Sequence, residues 1–296
     1  MNPGDPEGRE LAAALVEHAP LARGLEPHLE AAITQTVGSA GSLVRARLVL
    51  AAARSHGLPD AMAIPVACAV EYFHAASLLL DDLPCMDDGT WRRGQPCVHR
   101  IHGDATAILA ALALINRAHG LIGLAFAAHG PAVRVQAALL LDGTLGVAGL
   151  VGGQARDLRF GEGSTGGREI TRIAAAKTGA LFRLALVLPV LAAGPSPGEL
   201  RLLKALATYW GQWFQACDDL KDVAGTTAET GKDTRRDGVL ARPNLVRALG
   251  LHRARQRIAR LEGQLDRARE RLRARGSRWE YLGRFQAAVT AQARAA

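Results

Sequence analysis

The stretch 66–99, VACAVEYFHAASLLLDDLPCMDDGTWRRGQPCVH, constrains this chain more than any other. Its first part is a long, nearly uncharged run of helical character. That run ends in Asp81 and Asp82, crosses a short loop with Pro84, and meets Asp87, Asp88 and the pair Arg92, Arg93. An apolar helix that stops in such a cluster needs a protein interior along its length and a polar rim at its end. Carboxylates this crowded repel one another unless a cation lies among them. Hard divalent cations such as Mg²⁺ take oxygen ligands and share them with phosphates. The adjacent arginines would hold the phosphate. A solvated helix end carries the same composition, so this cluster alone leaves both readings open.

A second cluster narrows the choice. The segment 208–223, TYWGQWFQACDDLKDV, again carries an apolar and aromatic run into acids, Asp218, Asp219 and Asp222. At about 100° per residue, Asp218 and Asp222 fall on nearly one helical face with Asp219 beside them. Two aspartate-rich helix ends, each with basic residues nearby, point to a metal cage built from opposite walls of one cavity. Lys177 lies in IAAAKTGALFRLALVLPV, where a lysine among apolar neighbours is costly unless it is paired or reaches back to solvent. Gln154 and Asp157 follow Gly152 and Gly153, and on sequence alone they also fit a hydrogen-bonded helix terminus.

Taken in order, the motifs DDLPCMDD with RRG, GGQARDL, AAKTGALF, FQACDDLKDV and GKDTRRD make the chain resemble the trans-isoprenyl diphosphate synthases, which include farnesyl and geranylgeranyl diphosphate synthases. The resemblance covers the chain from about residue 40 to the end. It implies an all-α, single-domain antiparallel helical bundle around a central cavity, the isoprenoid synthase fold, working as a homodimer. It also implies three Mg²⁺ ions held by Asp81, Asp82, Asp87, Asp218, Asp219 and Asp222. These ions grip the diphosphate of an allylic prenyl substrate, which ionises and is attacked by isopentenyl diphosphate. By the same resemblance Lys177 binds the allylic diphosphate, Thr178 and Gln215 line the path of the cation, and Gln154 and Asp157 stand in the cavity wall. Lys232 and Arg236 belong to a loop that closes over the diphosphate, and Arg keeps the charge of the family's lysine there.

Two departures stand out. Where the family has Gly-Gly-Lys-Arg-x-Arg-Pro, whose lysine and last arginine bind isopentenyl diphosphate, this chain has Ala40-Gly41-Ser42-Leu43-Val44-Arg45-Ala46. Arg45 is kept and the lysine is lost; Arg54, or Arg47, is the candidate that restores the charge. Where the family commonly has Gly-Asp, this chain has Ile108-Leu109-Ala110-Ala111-Leu112, a change that bears on packing.

The rest of the chain supports helix throughout. Of 296 residues 49% are hydrophobic and only 4% aromatic, with few β-branched runs. Helices are expected over 9–18, 25–37, 42–55, 60–80, 105–128, 132–151, 168–193, 198–224, 242–249 and 253–275, with a last one near Trp279. Residues 1–8, with Pro3, Gly4 and Pro6, read as a loose terminus. No break is a long linker, so one domain is expected. The formal charge of +8 comes mostly from arginines near the C-terminal end; acids mingle with them over 253–275, as on a solvated helix face, and no aromatic or motif pattern supports nucleic-acid binding. No apolar run is clean enough to read as a membrane span, and 105–128, which comes closest, reads as a buried bundle helix. Cys68, Cys85, Cys97 and Cys217 form no CxxC pair, which with the lack of a signal peptide fits a reducing cytoplasm.

The reading is a Mg²⁺-dependent prenyltransferase making a short-chain prenyl diphosphate. Ser77, Ala76 and Phe73 lie four, five and eight residues before Asp81. In the family a bulky aromatic one turn above the motif stops growth at fifteen carbons. With Ala76 and Ser77 small, a twenty-carbon product is expected, with Phe73 as a floor. A regulatory subunit of a heteromeric prenyltransferase would explain the altered acceptor motif; a terpene cyclase fits less well, because DDLKD is intact.

Overall fold

The computed structural model describes residues 5–39, 41–160, 166–224 and 242–295, and these are almost wholly helical. They form two compact units, Met1–Arg134 and Val135–Ala296. The first contains α1 (Pro6–Glu17), α2 (Pro27–Gly38), α3 (Val44–Ser55), α4 (Asp60–Asp81), α5 (Val98–His102) and α6 (Asp104–Ala125). Between α4 and α5 lies a two-stranded hairpin, β1 (Trp91–Arg92) paired antiparallel with β2 (Gln95–Pro96). Sequence periodicity does not reveal it, because two residues per strand carry no alternation. Its turn is set by Arg93 and Gly94, both left-handed at φ 54° and 76°, the geometry of a tight two-residue hairpin.

α4 packs chiefly on α6 and α3. Its inward side chains are mostly small, with Ala63, Ala67, Ala69 and Ala76 fully buried, so the neighbouring helices approach closely. α1 corrects the expected loose terminus. Asp5 caps it by accepting from the Gly8 amide at 3.0 Å, Pro6 opens the first turn where its missing N–H costs nothing, and Leu11 and Leu15 are buried. Only residues 1–4 of that stretch lie outside the described residues.

The chain continues through α7 (Pro131–Leu145) to α8 (Leu150–Leu158), α9 (Gly167–Leu191) and α10 (Pro197–Ala224). It resumes with α11 (Leu245–Leu249), α12 (Leu251–Arg273), a 3₁₀ turn (Ser277–Trp279) and α13 (Tyr281–Ala295). The helix expected over 132–151 is broken after Leu145. At Gly149 a Cβ would lie 1.9 Å from the Thr144 carbonyl oxygen, and at Gly152 it would lie 2.0 Å from that of Val147. Only glycine permits so tight a turn. α9 and α10 cross with their backbones in contact, for a Cβ on Gly211 would sit 2.3 Å from the Gly179 Cα. Phe182 on α9 then meets Phe214 and Trp210 on α10, at ring separations of 4.8 and 6.0 Å.

The expectation of no span-like run needs correction. α4, α6, the stretch 131–158 and α9 are each long and apolar enough to cross a membrane by length and composition. The most apolar windows of α4 and α9 are 61% and 72% buried inside the protein, whereas that of α6 is 39% buried. α6 is thus not the enclosed bundle helix its composition implies. It packs on α4, α2 and α5, and the side carrying Leu109, Leu112 and Leu124 is open.

Candidate active site

In the first unit the acids that end α4 are held by a turn closed on itself. The amides of Asp87 and Gly89 bond the carbonyls of Asp81 and Asp82 at 2.9 and 3.0 Å. Asp81, Asp87 and Asp88 are half-buried, whereas Asp82 turns inward and is 5% exposed. Arg92 on β1 reaches Asp82 with Nε, at 3.2 Å to both carboxylate oxygens, and with Nη2. Burial alone would depress Arg92, but its bonds to Asp82 hold it above the ordinary arginine range. Arg100 likewise pairs with Asp88. The crowding that the sequence presents is therefore relieved in part by the protein's own guanidinium groups, Arg92 on Asp82 and Arg100 on Asp88.

A neighbouring group of residues lies one to two turns up α4. Arg93 donates to the Ser39 carbonyl at 2.7 Å and crowds Gly41, where a Cβ would sit 3.0 Å from the guanidinium. Glu71, 7% exposed, accepts from the Ala46 amide at 3.0 Å and so anchors the start of α3. His74 follows one turn later. Burial, and then the charges of Arg45, Arg93 and Arg92, hold its imidazole well below the ordinary histidine range. It is a neutral ring among three cations. Sequence reasoning missed His74; the signal was there, since residues seven apart share a helical face and Asp81 is seven residues on. The Ser42 carbonyl accepts from Arg47 Nε at 3.3 Å.

Arg54 is not part of this group. It bonds Asp60 at 3.0 Å and lies 3.4 Å from Glu7 and Glu10. The Asp60 hydrogen bonds raise it above the usual arginine range. Arg47 is likewise paired with Asp5 and Glu7. Both substitutes for the missing lysine are thus engaged by carboxylates. Phe73 and Ala76 are buried on α4, and the Phe73 ring meets His119 of α6 edge-on at 5.1 Å. Ser77 bonds the His74 carbonyl at 2.8 Å.

In the second unit α8 and α9 approach so closely that a Cβ on Gly153 would lie 2.7 Å from the Lys177 amide nitrogen. This contact brings Asp157, 8% exposed, to the Lys177 ammonium at 3.1 Å. The lysine is paired, which answers its cost among apolar neighbours. The glycine crossing of α9 and α10 places Thr178 Oγ1 3.0 Å from Gln215 Oε1, to which it donates, and Gln215 Nε2 donates to Asp219 Oδ1 at 3.0 Å. Along α10, Asp218 is exposed, Asp219 is 1% exposed, and Asp222 is 8% exposed with Arg247 of α11 at 3.5 Å. Gln154 is half-buried on α8. Lys232 and Arg236 lie outside the described residues. Among the described residues, no three His, Cys, Asp or Glu side chains gather closely enough to hold a metal ion unaided. The donors that each motif presents are nonetheless all carboxylate oxygens, the set that Mg²⁺ takes when a phosphate completes its shell.

The sequence pattern of the polyprenyl synthetase family matches residues 26–274. A geranylgeranyl diphosphate synthase of Pseudescherichia vulneris is 40% identical over 229 residues, covering 77% of this chain and 73% of that one. Another, of Pantoea ananas, is 37% identical over 231 residues, covering 77% and 74%. Among solved structures, a Helicobacter pylori geranyltransferase complexed with magnesium and isoprenyl diphosphate superposes with a TM-score of 0.85 at 25% identity over the whole of both chains. An FPP/GFPP synthase from Zymomonas mobilis gives 0.77 at 31% identity, over 93% and 92%. The helical architecture is the isoprenoid synthase fold, and the chain belongs to the polyprenyl synthetase family.

Proposed function

We propose that this protein is a Mg²⁺-dependent prenyltransferase that joins an allylic prenyl diphosphate to isopentenyl diphosphate, with geranylgeranyl diphosphate as its main product. The observation that carries this reading is that two apolar helices, α4 and α10, each end in carboxylates beside a basic group, Arg92 and Arg247. Asp81, Asp87, Asp218 and Asp222 are the proposed ligands, and three ions per site is the number the resemblance implies. Mg²⁺ would supply Lewis-acid neutralisation of the departing diphosphate. Lys177, with Lys232 and Arg236, binds that diphosphate and takes up the charge that grows on it as the allylic C–O bond breaks. Gln215 and Thr178 present oxygen lone pairs to the cation, which the double bond of isopentenyl diphosphate then attacks.

The acceptor's own diphosphate is assigned to Arg45 and Arg93, with His74 neutral beside them, in place of the missing lysine. Arg54 is withdrawn from that role because Asp60, Glu7 and Glu10 engage it. Product length is assigned to α4: Ala76 and Ser77 are the small side chains before Asp81, and Phe73, whose ring meets His119, is the proposed floor. A single folded domain working as a homodimer in the cytoplasm, without a membrane span, completes the reading. One observation favours a regulatory subunit instead: Ser42 stands where the family has lysine, and the adjacent Leu43 is left-handed at φ 53°.

Turnover decides. The purified chain, incubated with Mg²⁺, isopentenyl diphosphate and each allylic primer, is expected to yield a twenty-carbon alcohol after dephosphorylation. Asp81→Ala and Asp218→Ala should each lose at least about 100-fold without unfolding. No turnover by the wild-type chain alone would favour the subunit reading, and near-normal rates for either variant would remove the metal assignment.

A further inference from the structure

The two acidic pairs share a feature that a motif cannot show: in each, the second aspartate turns away from its partner and into the protein. Asp82 is 5% exposed and bound to Arg92, and Asp219 is 1% exposed. The Asp219 carboxylate accepts from Gln215 Nε2 at 3.0 Å and from the Leu245 amide at 2.7 Å. The Leu245 amide belongs to the first residue of α11. The preceding Asn244, 2% exposed, caps α11 through the amides of Val246 and Arg247 at 3.0 and 3.1 Å, and its Nδ2 lies 3.4 Å from the Asp219 carbonyl oxygen. Around this point Ile170, Ala216, Leu245 and Val246 close an apolar cluster. The carboxylate is thus held both from α10 and from the start of α11, beside an apolar cluster.

We infer that Asp219 is a positioning residue that sets the orientation of the Gln215 amide and the Thr178 hydroxyl, and is not a ligand of the metal. The reason is the polarity of hydrogen bonding. An ionised carboxylate only accepts, so the Gln215 side chain must turn its NH₂ toward Asp219 and its oxygen away. That oxygen then takes the Thr178 hydroxyl proton, at 3.0 Å. The remaining lone pairs of Gln215 Oε1 and Thr178 Oγ1 are left to face whatever lies beside them. On the proposed reading, on which this inference rests, that neighbour is an allylic cation, and lone pairs are what such a site must offer. With the amide reversed, the same two side chains would present hydrogens to a positive charge. The Leu245 bond prevents Asp219 from swinging out of the relay.

The test separates a ligand, a mere support and an orienting group. Asp219→Asn keeps the size of the side chain, but asparagine cannot accept from both Gln215 and Leu245. The amide of residue 215 is therefore free to reverse. Binding of Mn²⁺ in the presence of inorganic diphosphate, followed by electron paramagnetic resonance, is expected to be unchanged in Asp219→Asn within about twofold. In Asp218→Asn it should weaken at least about tenfold. Prenyl transfer by Asp219→Asn should fall at least about tenfold in kcat, with little change in either substrate's KM. The double exchange Gln215→Glu with Asp219→Asn moves the carboxylate one step along the relay. The carboxylate introduced at position 215 accepts from Thr178 and from the amide introduced at position 219, whose oxygen still accepts from Leu245. This double variant should recover most of the lost kcat, which a purely structural role for Asp219 would not give. Equal loss of Mn²⁺ in Asp219→Asn and Asp218→Asn overturns the inference, as does a double variant no faster than Asp219→Asn. Retention of Mn²⁺ by Asp218→Asn overturns the metal reading of α10 instead, and the exchange still decides the relay.

Discussion

His74 carries no charge of its own, and three guanidinium groups bear on it. A neutral ring there can donate to an anion without adding to the repulsion among Arg45, Arg92 and Arg93. The corresponding prediction concerns substrate discrimination. Arg93→Ala should raise the KM for isopentenyl diphosphate by at least about tenfold, the order of one charge-assisted phosphate contact, and the KM for the allylic primer far less. Arg54→Ala should leave both constants in place and lower the melting temperature, since it removes the centre of an acid cluster. A steady-state comparison of the two variants, with a thermal melt of each, checks both statements. At this scale the sequence singles out the acids as candidates, because two aspartate-rich helix ends recur in one chain. It does not tell which of two adjacent acids faces inward. A step of about 100° separates Asp218 from Asp219, and only the neighbours, here Gln215 and Leu245, decide which one is buried.

α10 shows how an element carries the site from its far end. Ser196 and Glu199 form a capping box: the Ser196 amide donates to Glu199 at 2.8 Å and the Glu199 amide to Ser196 Oγ at 3.3 Å. The same carboxylate accepts from Arg278 and from the buried Trp279 indole at 3.1 Å. Burial would raise the pKa of Glu199, but Arg278 and Ser196 outweigh it and bring the group from 4.5 down to about 2. A depressed carboxylate stabilises the fold above its unfolded value and loses that contribution as pH falls through the folded one. Melting temperatures of wild type and Glu199→Gln should therefore differ most above pH 4.5 and converge toward pH 2, a window that circular dichroism can follow. A second prediction belongs to the crossing of α9 and α10. Gly211→Ala should destabilise by about 1–3 kcal/mol, because its methyl would force the two backbones apart. It should also slow turnover by pulling Thr178 from Gln215. Helix positions were legible from periodicity and from Gly and Pro. The break after Leu145 and the hairpin at residues 91–96 were not, since both depend on backbone geometry that composition does not encode.

Among the described residues, large apolar side chains stand open on α6 and again over 135–151. On α6, Ile108, Leu109, Leu112 and Leu124 are 40%, 53%, 54% and 66% exposed, at spacings that place them on one side of the helix. The first three stand in the stretch where the family commonly has Gly-Asp. A face of this kind is costly in water, and it is the surface on which the proposed homodimer is expected to close. Leu109→Glu combined with Leu112→Glu should give a monomer in sedimentation or light scattering; an unchanged mass would place any dimer contact elsewhere. α1 and the segment around Trp279 and Tyr281 are tied into the fold as firmly as the helices between them. Asp5, Glu7 and Glu10 commit their charge to Arg47 and Arg54, Leu15 offers its carbonyl to the buried Tyr72 hydroxyl at 2.5 Å, and Trp279 and Tyr281 are buried near the other terminus. Trimming the chain through α1 would therefore strip Arg47 of its counter-ions, leave Arg54 with Asp60 alone, remove the buried Leu11 and Leu15 and orphan a phenol. Affinity tags and fluorophores belong ahead of Asp5, where they leave the lattice of charges intact, and storage at high salt would loosen that lattice first.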